Sequence, residues 1–304
     1  MLRFELDLVR GAFHLRARGH CSPGETLVLF GPSGAGKTTI LRLVAGLIPG
    51  AGQTIALGSA TWAGPGVDEP PWKRRAAYLA AEAPFVLRRP PVRGLGVLPA
   101  GWLEALEVDQ LHRRPAGELS RGERQRFALL RALSAGPAAL LLDEALDGLD
   151  APLAARVAGF VDRWAKDSLR PVLLATHELG QVGALGGPVL LVSAGEGLFA
   201  SDPHALLSHP PAPRWARLLG YRLVPLERGL VGVRPEHLRP GRFPELGPSF
   251  HAEVLHVRPH GAGWLLAARG PGDTPLEVPI PPGTLPPAAG GSLEITAVGA
   301  PVYR

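Results

Sequence analysis

Apolar residues are distributed along this 304-residue chain in two regimes. Up to about residue 220, five-residue apolar runs alternate with stretches of helical period. The runs Thr26–Phe30, Ala138–Leu142, Pro171–Ala175 and Pro188–Val192 carry few polar positions, the pattern of strands buried on both faces. Between them, Ile40–Gly46, the region Gly101–Leu111, residues 120–134 and Pro152–Ala165 predict helices. Ser120, with Glu123 three positions later, reads as an N-cap with its capping-box partner. Residues 64–101 are dense in Gly and Pro, and Pro70-Pro71, Pro90-Pro91 and Pro99 exclude long helices there. Strands alternating with helices predict an α/β fold, a mostly parallel sheet with helices on both faces. Beyond Tyr221 the runs Ala252–Val257, Gly263–Ala268, Leu276–Ile280 and Ser292–Val298 are separated by turn-rich pieces such as Pro281-Pro-Gly283. That pattern predicts a small all-β barrel or sandwich, and a division into residues 1–220 and 221–304.

The first buried run leads into Gly31-Pro-Ser33-Gly34-Ala-Gly36-Lys37-Thr38-Thr39, and a helix follows. This is the spacing and the context of a phosphate-binding loop. Glycines let successive backbone N–H groups turn inward toward phosphate oxygens, and the following helix presents its positive end to the same anion. Lys37 supplies a point charge for the β- and γ-phosphates, and Thr38 a hydroxyl for the accompanying Mg²⁺.

Composition adds bounds. No run approaches the ~18 apolar residues of a membrane span. The N-terminal stretch, interrupted by Arg3, Glu5, Asp7 and Arg10, is not that of a secretory signal. A single cysteine, Cys21, excludes an internal disulfide and suits a reducing cytoplasm, where it reads as a small, partly buried side chain. The net charge is +5, but the arginines are dispersed among acidic residues and form no stripe interleaved with aromatics, so no nucleic-acid partner is expected.

Further stretches narrow the chemistry. Ala138–Leu142 ends in Asp143 and Glu144. A carboxylate at that strand end can hold Mg²⁺ through water, and its neighbour can polarise an attacking water as general base. Leu119-Ser120-Arg121-Gly122-Glu123 precedes this strand by about twenty residues, and Leu149-Asp150 follows it. Thr176-His177 closes the next apolar strand, where His177 can hydrogen-bond a γ-phosphate.

Taken in order, these elements resemble the ATP-binding subunits of ABC transporters: phosphate loop, L-S-x-G-[EQ] signature at 119–123, Asp143-Glu144, D-loop Asp150 and switch His177. The stretch 113–126 is most similar to the ATPases of molybdate-type importers. The resemblance covers about residues 1–220. It implies a P-loop nucleotide-binding domain with a helical subdomain, short in this chain, and a transport-coupled ATPase using ATP and Mg²⁺. It implies a head-to-tail homodimer in which Ser120, Gly122 and Glu123 of one subunit face the ATP on Gly31, Ser33, Gly34, Gly36, Lys37, Thr38 and Thr39 of the other. Membrane permease subunits, an external solute-binding protein and a peripheral place on the inner face of the cell membrane follow from the same likeness. Phe13, 24 residues before Lys37, matches the adenine-stacking aromatic and reads equally as a core phenylalanine. Residues 231–238 and 251–304 resemble the small barrel appended to such importer ATPases (TOBE/Mop-like). Ile295–Gly299 stands where that module commonly carries a Lys-Ser pair for oxyanions, which leaves a structural or dimerising role at least as well supported.

The chain also departs from the pattern. Ala81 or Glu82 takes the place of the Q-loop glutamine, Arg121 that of a signature glycine, and Ala145 that of a proline after Glu144. A weakly active or regulatory relative, and a soluble ABC ATPase outside transport, are the competing readings.

Overall fold

A computed structural model of the chain describes residues 1–49, 52–80, 98–99, 101–109, 114, 116–227 and 229–303. By its internal contacts the chain divides into two units, Met1–Pro203 and His204–Arg304.

The first unit is built on one eleven-stranded sheet. Its strands are β1 (Leu2–Arg10), β2 (Phe13–Cys21), β3 (Thr26–Phe30), β4 (Thr54–Leu57), β5 (Ala60–Gly64), β6 (Val67–Asp68), β7 (Ala76–Ala80), β8 (Ala139–Asp143), β9 (Val172–Thr176), β10 (Val189–Ser193) and β11 (Glu196–Ala200). They lie in the order β6-β5-β4-β1-β2-β11-β10-β3-β9-β8-β7. The helices are α1 (Lys37–Ala45), α2 (Pro71–Arg74), α3 (Trp102–Ala105), α4 (Arg121–Ser134), α5 (Ala151–Ser168) and α6 (Leu179–Leu185).

The four apolar runs seen in the sequence became β3, β8, β9 and β10, and together with β7 they form the parallel half. Because side chains alternate along a strand, a strand buried on both faces feeds two cores. Ala139 and Leu141 of β8 and Leu173 and Ala175 of β9 enter a core with α1 and the β1–β2 hairpin. Leu140, Leu142, Val172 and Leu174 enter a second core with Phe127 and Leu130 of α4 and Val157 and Trp164 of α5.

The sheet is mixed rather than mostly parallel: β1–β2, β1–β4, β4–β5, β5–β6 and β10–β11 all pair antiparallel. All but β1–β4 are consecutive strands joined by two-residue connections, which only antiparallel neighbours permit. Two further expectations change. The Gly/Pro-rich stretch contains a full sheet strand, β7, which its two alanine pairs concealed. Of the helix expected over Gly101–Leu111, the described residues 101–109 form a single turn, Trp102–Ala105, and Glu107 beyond it is left-handed at φ 50°, while residues 110 and 111 lie outside the described residues.

A buried arginine ties the phosphate-loop helix to the antiparallel strands. The Arg74 side chain is fully enclosed, and its guanidinium donates to Leu43 O and Val44 O near the end of α1, to Glu69 O and to Asp68 Oδ1. The last carbonyls of a helix lack partners within it, and Arg74 satisfies two near that end.

The second unit holds α7 (Pro203–Ser208), α8 (Pro213–Leu218) and strands β12 (Arg222–Leu226), β13 (Gly229–Val233), β14 (Leu238–Pro240), β15 (Ser249–His260), β16 (Gly263–Gly270), β17 (Thr274–Ile280), β18 (Ser292–Ala297) and β19 (Val302–Tyr303). One sheet runs β12-β13-β19 and the other β14-β18-β15-β16-β17. The outer strands of the larger sheet, β14 and β17, lie against each other, so it curls toward closure. Val224, Val231 and Val233 of the small sheet share one core with Phe250, Leu266 and Ile295 of the large one. Residues before Tyr221 are bound to these strands. The Tyr221 hydroxyl donates to Leu207 O and Ser208 O, and the Tyr303 hydroxyl to Pro210 O.

Candidate nucleotide site

Parallel strands in register end together, and loops leaving their carboxyl ends meet at one edge. Here Phe30 of β3 pairs with Thr176 of β9, and Ala175 with Asp143 of β8. The phosphate loop, the Asp143-Glu144 pair and Thr176-His177, far apart in sequence, therefore emerge side by side.

Two glycines of the loop are dictated by space. A side chain at Gly31 would begin 2.0 Å from Val192 O. Gly36 sits at φ 116°, and a Cβ there would press on Leu15 and on the Phe13 ring at 3.2 Å. Gly36 is also the N-cap of α1 and has no side chain to occupy the first N–H groups, which leaves them for an anion. Ser33 and Gly34 are exposed on the loop, and Thr39 is half-buried in the first turn of α1. Phe13 is half-buried, packed on the first core and against the phosphate loop.

The Lys37 ammonium is buried, donates to Gly31 O at 2.8 Å and Pro32 O at 3.1 Å, and lies 3.2 Å from Glu144 Oε1. The Thr38 hydroxyl donates to Asp143 Oδ1 at 2.9 Å. The other Asp143 oxygen accepts from the Tyr78 hydroxyl at 2.7 Å, and Arg42 Nε donates to that hydroxyl at 3.3 Å. Burial, with Asp143 beside it, pushes the Tyr78 phenol up to about 12, so it stays a donor at neutral pH. A carboxylate and a hydroxyl this close are the hard oxygen donors that Mg²⁺ accepts, one or two from protein and the rest from water and phosphate. The residues present fit that ion.

Glu144 follows β8 in the left-handed region at φ 52°, a conformation that a residue with a side chain adopts at a cost and that clusters at functional sites. Its amide donates to Ala175 O, which fixes the bend. His177 Nδ1 lies 2.9 Å from Asp147 Oδ2 and 4.0 Å from Glu144 Oε1, and Nε2 lies 3.6 Å from Glu178 Oε1.

The structure thus brings together Lys37, Thr38, Asp143, Glu144 and His177. It places the signature residues differently. Ser120 caps α4: its hydroxyl accepts from the Glu123 amide at 3.2 Å, and the Glu123 carboxylate accepts from the Ser120 amide at 2.6 Å. That amide holds the Glu123 carboxyl below the usual range. Gly122 lies against Leu149, and Asp150 caps α5 by accepting from the Leu153 amide. Neither capping hydroxyl nor capping carboxylate points its bonds at the phosphate loop. Ala81 and Glu82 lie outside the described residues. Sequence reasoning passed over Tyr78, Arg42 and Asp147, although Asp147 stands only three residues after Glu144.

A profile of the ABC transporter family matches residues 16–147. The molybdenum import ATP-binding protein ModC of Rhodobacter capsulatus is 36% identical over 205 residues, 63% of this chain and 56% of that protein. The molybdate/tungstate import ATP-binding protein WtpC of Thermococcus kodakarensis is 31% identical over 264 residues, 74% of this chain and 78% of that protein. The chain belongs to the ABC transporter family. This ABC cassette spans a little over half the length of the ModC relatives it matches. Among solved structures, a nucleotide-free ATP-binding cassette from an ABC transporter superposes with a TM-score of 0.61 at 18% identity, over 71% of this chain and 97% of that one. A dimeric cassette in a post-hydrolysis state with ADP and phosphate superposes at 0.54, also at 18% identity, over 66% and 98% of the two chains. The cassette fold expected from the order of motifs is therefore the fold observed.

Proposed function

We propose that this ABC cassette binds and hydrolyses ATP to energise an importer for molybdate or a related oxyanion. The observation that carries the reading is the meeting of Lys37, Thr38, Asp143, Glu144 and His177 at one sheet edge, the groups that charge neutralisation, metal holding, water activation and γ-phosphate contact require. Its similarity to proteins named as molybdenum and molybdate/tungstate import ATP-binding proteins supports the cargo.

In this reading the loop amides and Lys37 grip the β- and γ-phosphates, and Phe13 stacks on the base. Mg²⁺ supplies charge neutralisation at the phosphate oxygens when bound, and Thr38 and Asp143 are the residues that would hold it. Glu144, held at its strained bend within reach of Lys37, orients and deprotonates the attacking water. His177 donates to the γ-phosphate. Ser120 and Gly122, at the start of α4, face the ATP of a second copy, while Asp150 lines the same interface. The capping box then has two roles, since it holds open the helix end that meets the phosphate. Permease subunits receive the motion at the inner face of the membrane, and an external binding protein delivers the cargo.

The second unit serves regulation or dimerisation. Thr296 lies in the segment where related barrels carry their oxyanion-binding pair, but its hydroxyl is buried and fully occupied. It accepts from the Phe243 amide, donates to Gly241 O and shares a hydrogen bond with Ser249 Oγ. That favours the structural role over an oxyanion pocket.

Steady-state Mg-ATP hydrolysis by the full chain tests the catalytic reading. Lys37→Ala should abolish nucleotide binding. Glu144→Gln should keep binding and lower turnover by ~10²–10⁴-fold, the usual contribution of a positioned base. Nucleotide binding that needs Lys37, with no turnover even beside its permease, would make this chain a regulatory relative, in keeping with Ala81 or Glu82 at the Q-loop position.

A further inference from the structure

We propose that Asp147 is a positioning residue for His177, holding the imidazole by its Nδ1 edge so that Nε2 is the ring atom presented to the γ-phosphate. The inference rests on the proposed role of His177 and adds a residue that neither the motifs nor the comparisons assign.

Asp147 lies in the loop between β8 and α5, with most of its side chain buried. Its carboxylate is held from two elements. Oδ1 accepts from Thr176 Oγ1 at 3.1 Å, at the end of β9, and from Gln181 Nε2 at 3.5 Å, in α6. Oδ2 is buried and makes no hydrogen bond among the described residues, and His177 Nδ1 lies 2.9 Å from it, at ion-pair distance. With one oxygen locked, the other is fixed in place against the ring.

The partner held at one ring nitrogen orients the imidazole and decides which nitrogen is left to face a ligand. The other charged groups around the ring are Glu144 Oε1 at 4.0 Å from Nδ1 and Glu178 Oε1 at 3.6 Å from Nε2, with Lys37 as counter-charge to Glu144. Glu178 is largely exposed and can swing away when a phosphate arrives, whereas Asp147 is anchored by Thr176. Acids that orient a histidine in this way act through geometry and tautomer, not by taking the proton themselves.

Burial pushes the Asp147 carboxyl above its ordinary range, with the Thr176 hydroxyl and His177 pulling it back. A carboxylate kept beside two others in a half-buried loop is a costly way to fill space, which agrees with a functional reason for its presence.

The test is ¹⁵N NMR of the full chain labelled at histidine, with the His177 signals assigned by their loss in His177→Gln. In the parent chain the ring should be held in one state. Asp147→Ala should move the His177 ring nitrogens toward the shifts of a free imidazole, without nucleotide present. The same variant should lower kcat by about tenfold or more while the KM for ATP stays within about twofold, the pattern of a lost orienting partner. Asp147→Asn, which keeps the shape but not the charge, should fold if Asp147→Ala does not, and should move the same ring-nitrogen signals. His177 shifts unchanged in both variants would overturn the proposal, as would an unchanged kcat in both. A parent chain inactive even beside its permease, with the predicted ring shifts, would instead refute the catalytic reading and leave the pairing intact.

Discussion

Lys37 is among the most enclosed charged groups of the molecule, and it is tolerated because two carbonyls and a carboxylate receive its ammonium. Asp143 is likewise buried and likewise fully bonded, by Thr38 and Tyr78. Asp147 differs, since burial raises its carboxyl above the ordinary 3.8. A raised folded-state value means the native chain binds the proton more tightly than the unfolded chain. The stabilisation is complete below the unfolded value and is lost as pH rises through the folded one. Asp147→Asn is therefore expected to be more resistant to urea than the parent at pH 7–8, with the gap closing near pH 4, in unfolding curves taken at both. Greater stability with lower turnover would place Asp147 among the residues that trade stability for function. Cys21 is the opposite case: fully buried, its thiol set against Glu25 O and Val172 O, and pushed up by burial to about 12. It should not react with a thiol reagent at pH 8 until denaturant unfolds the first unit, when one equivalent is titrated.

Helix α4 shows how one element serves packing and chemistry at once. Phe127, Leu129, Leu130 and Leu133 bury one face in the second core, and the capping box satisfies its first turn. Ser120→Ala should cost ~1 kcal/mol in chemical denaturation, the usual worth of an N-cap. If α4 also faces ATP on a second copy, the same variant should lower turnover more than this loss of stability accounts for, while Asp150→Ala lowers stability through the cap of α5. Comparing each variant's urea midpoint with its turnover separates the two roles. Helix α1 is organised the other way round. Its start carries no side-chain cap, and Arg74 secures the carbonyls near its end, so the end facing the phosphates is left open.

At the scale of the molecule, the signature residues do not complete the site that holds Lys37. Ser120 and Asp150 engage their own helices in this chain. A site completed by a second copy predicts that hydrolysis per chain rises with protein concentration and then saturates. It also predicts that Glu144→Gln with ATP elutes as a dimer in size-exclusion chromatography while the nucleotide-free protein elutes smaller. A constant specific activity across a hundredfold dilution would favour self-sufficient monomers. No helix among the described residues is long and apolar enough to cross a membrane.

The sequence by itself determined the cassette. The buried runs, the phosphate loop, the Ser120–Glu123 cap and the carboxylate pair each follow from local rules of spacing, propensity and burial. The second unit's four long strands were legible for the same reason, as alternating runs between turn residues. Tertiary structure decided the rest. The antiparallel half of the sheet and β7 were hidden because alanine-rich and short strands carry little periodic signal and are held by their neighbours. Tyr78 on Asp143, Arg74 under α1 and Asp147 on His177 were beyond reach for a different reason. Each joins groups from elements that meet only in the folded chain, and no local spacing encodes which side chains then touch.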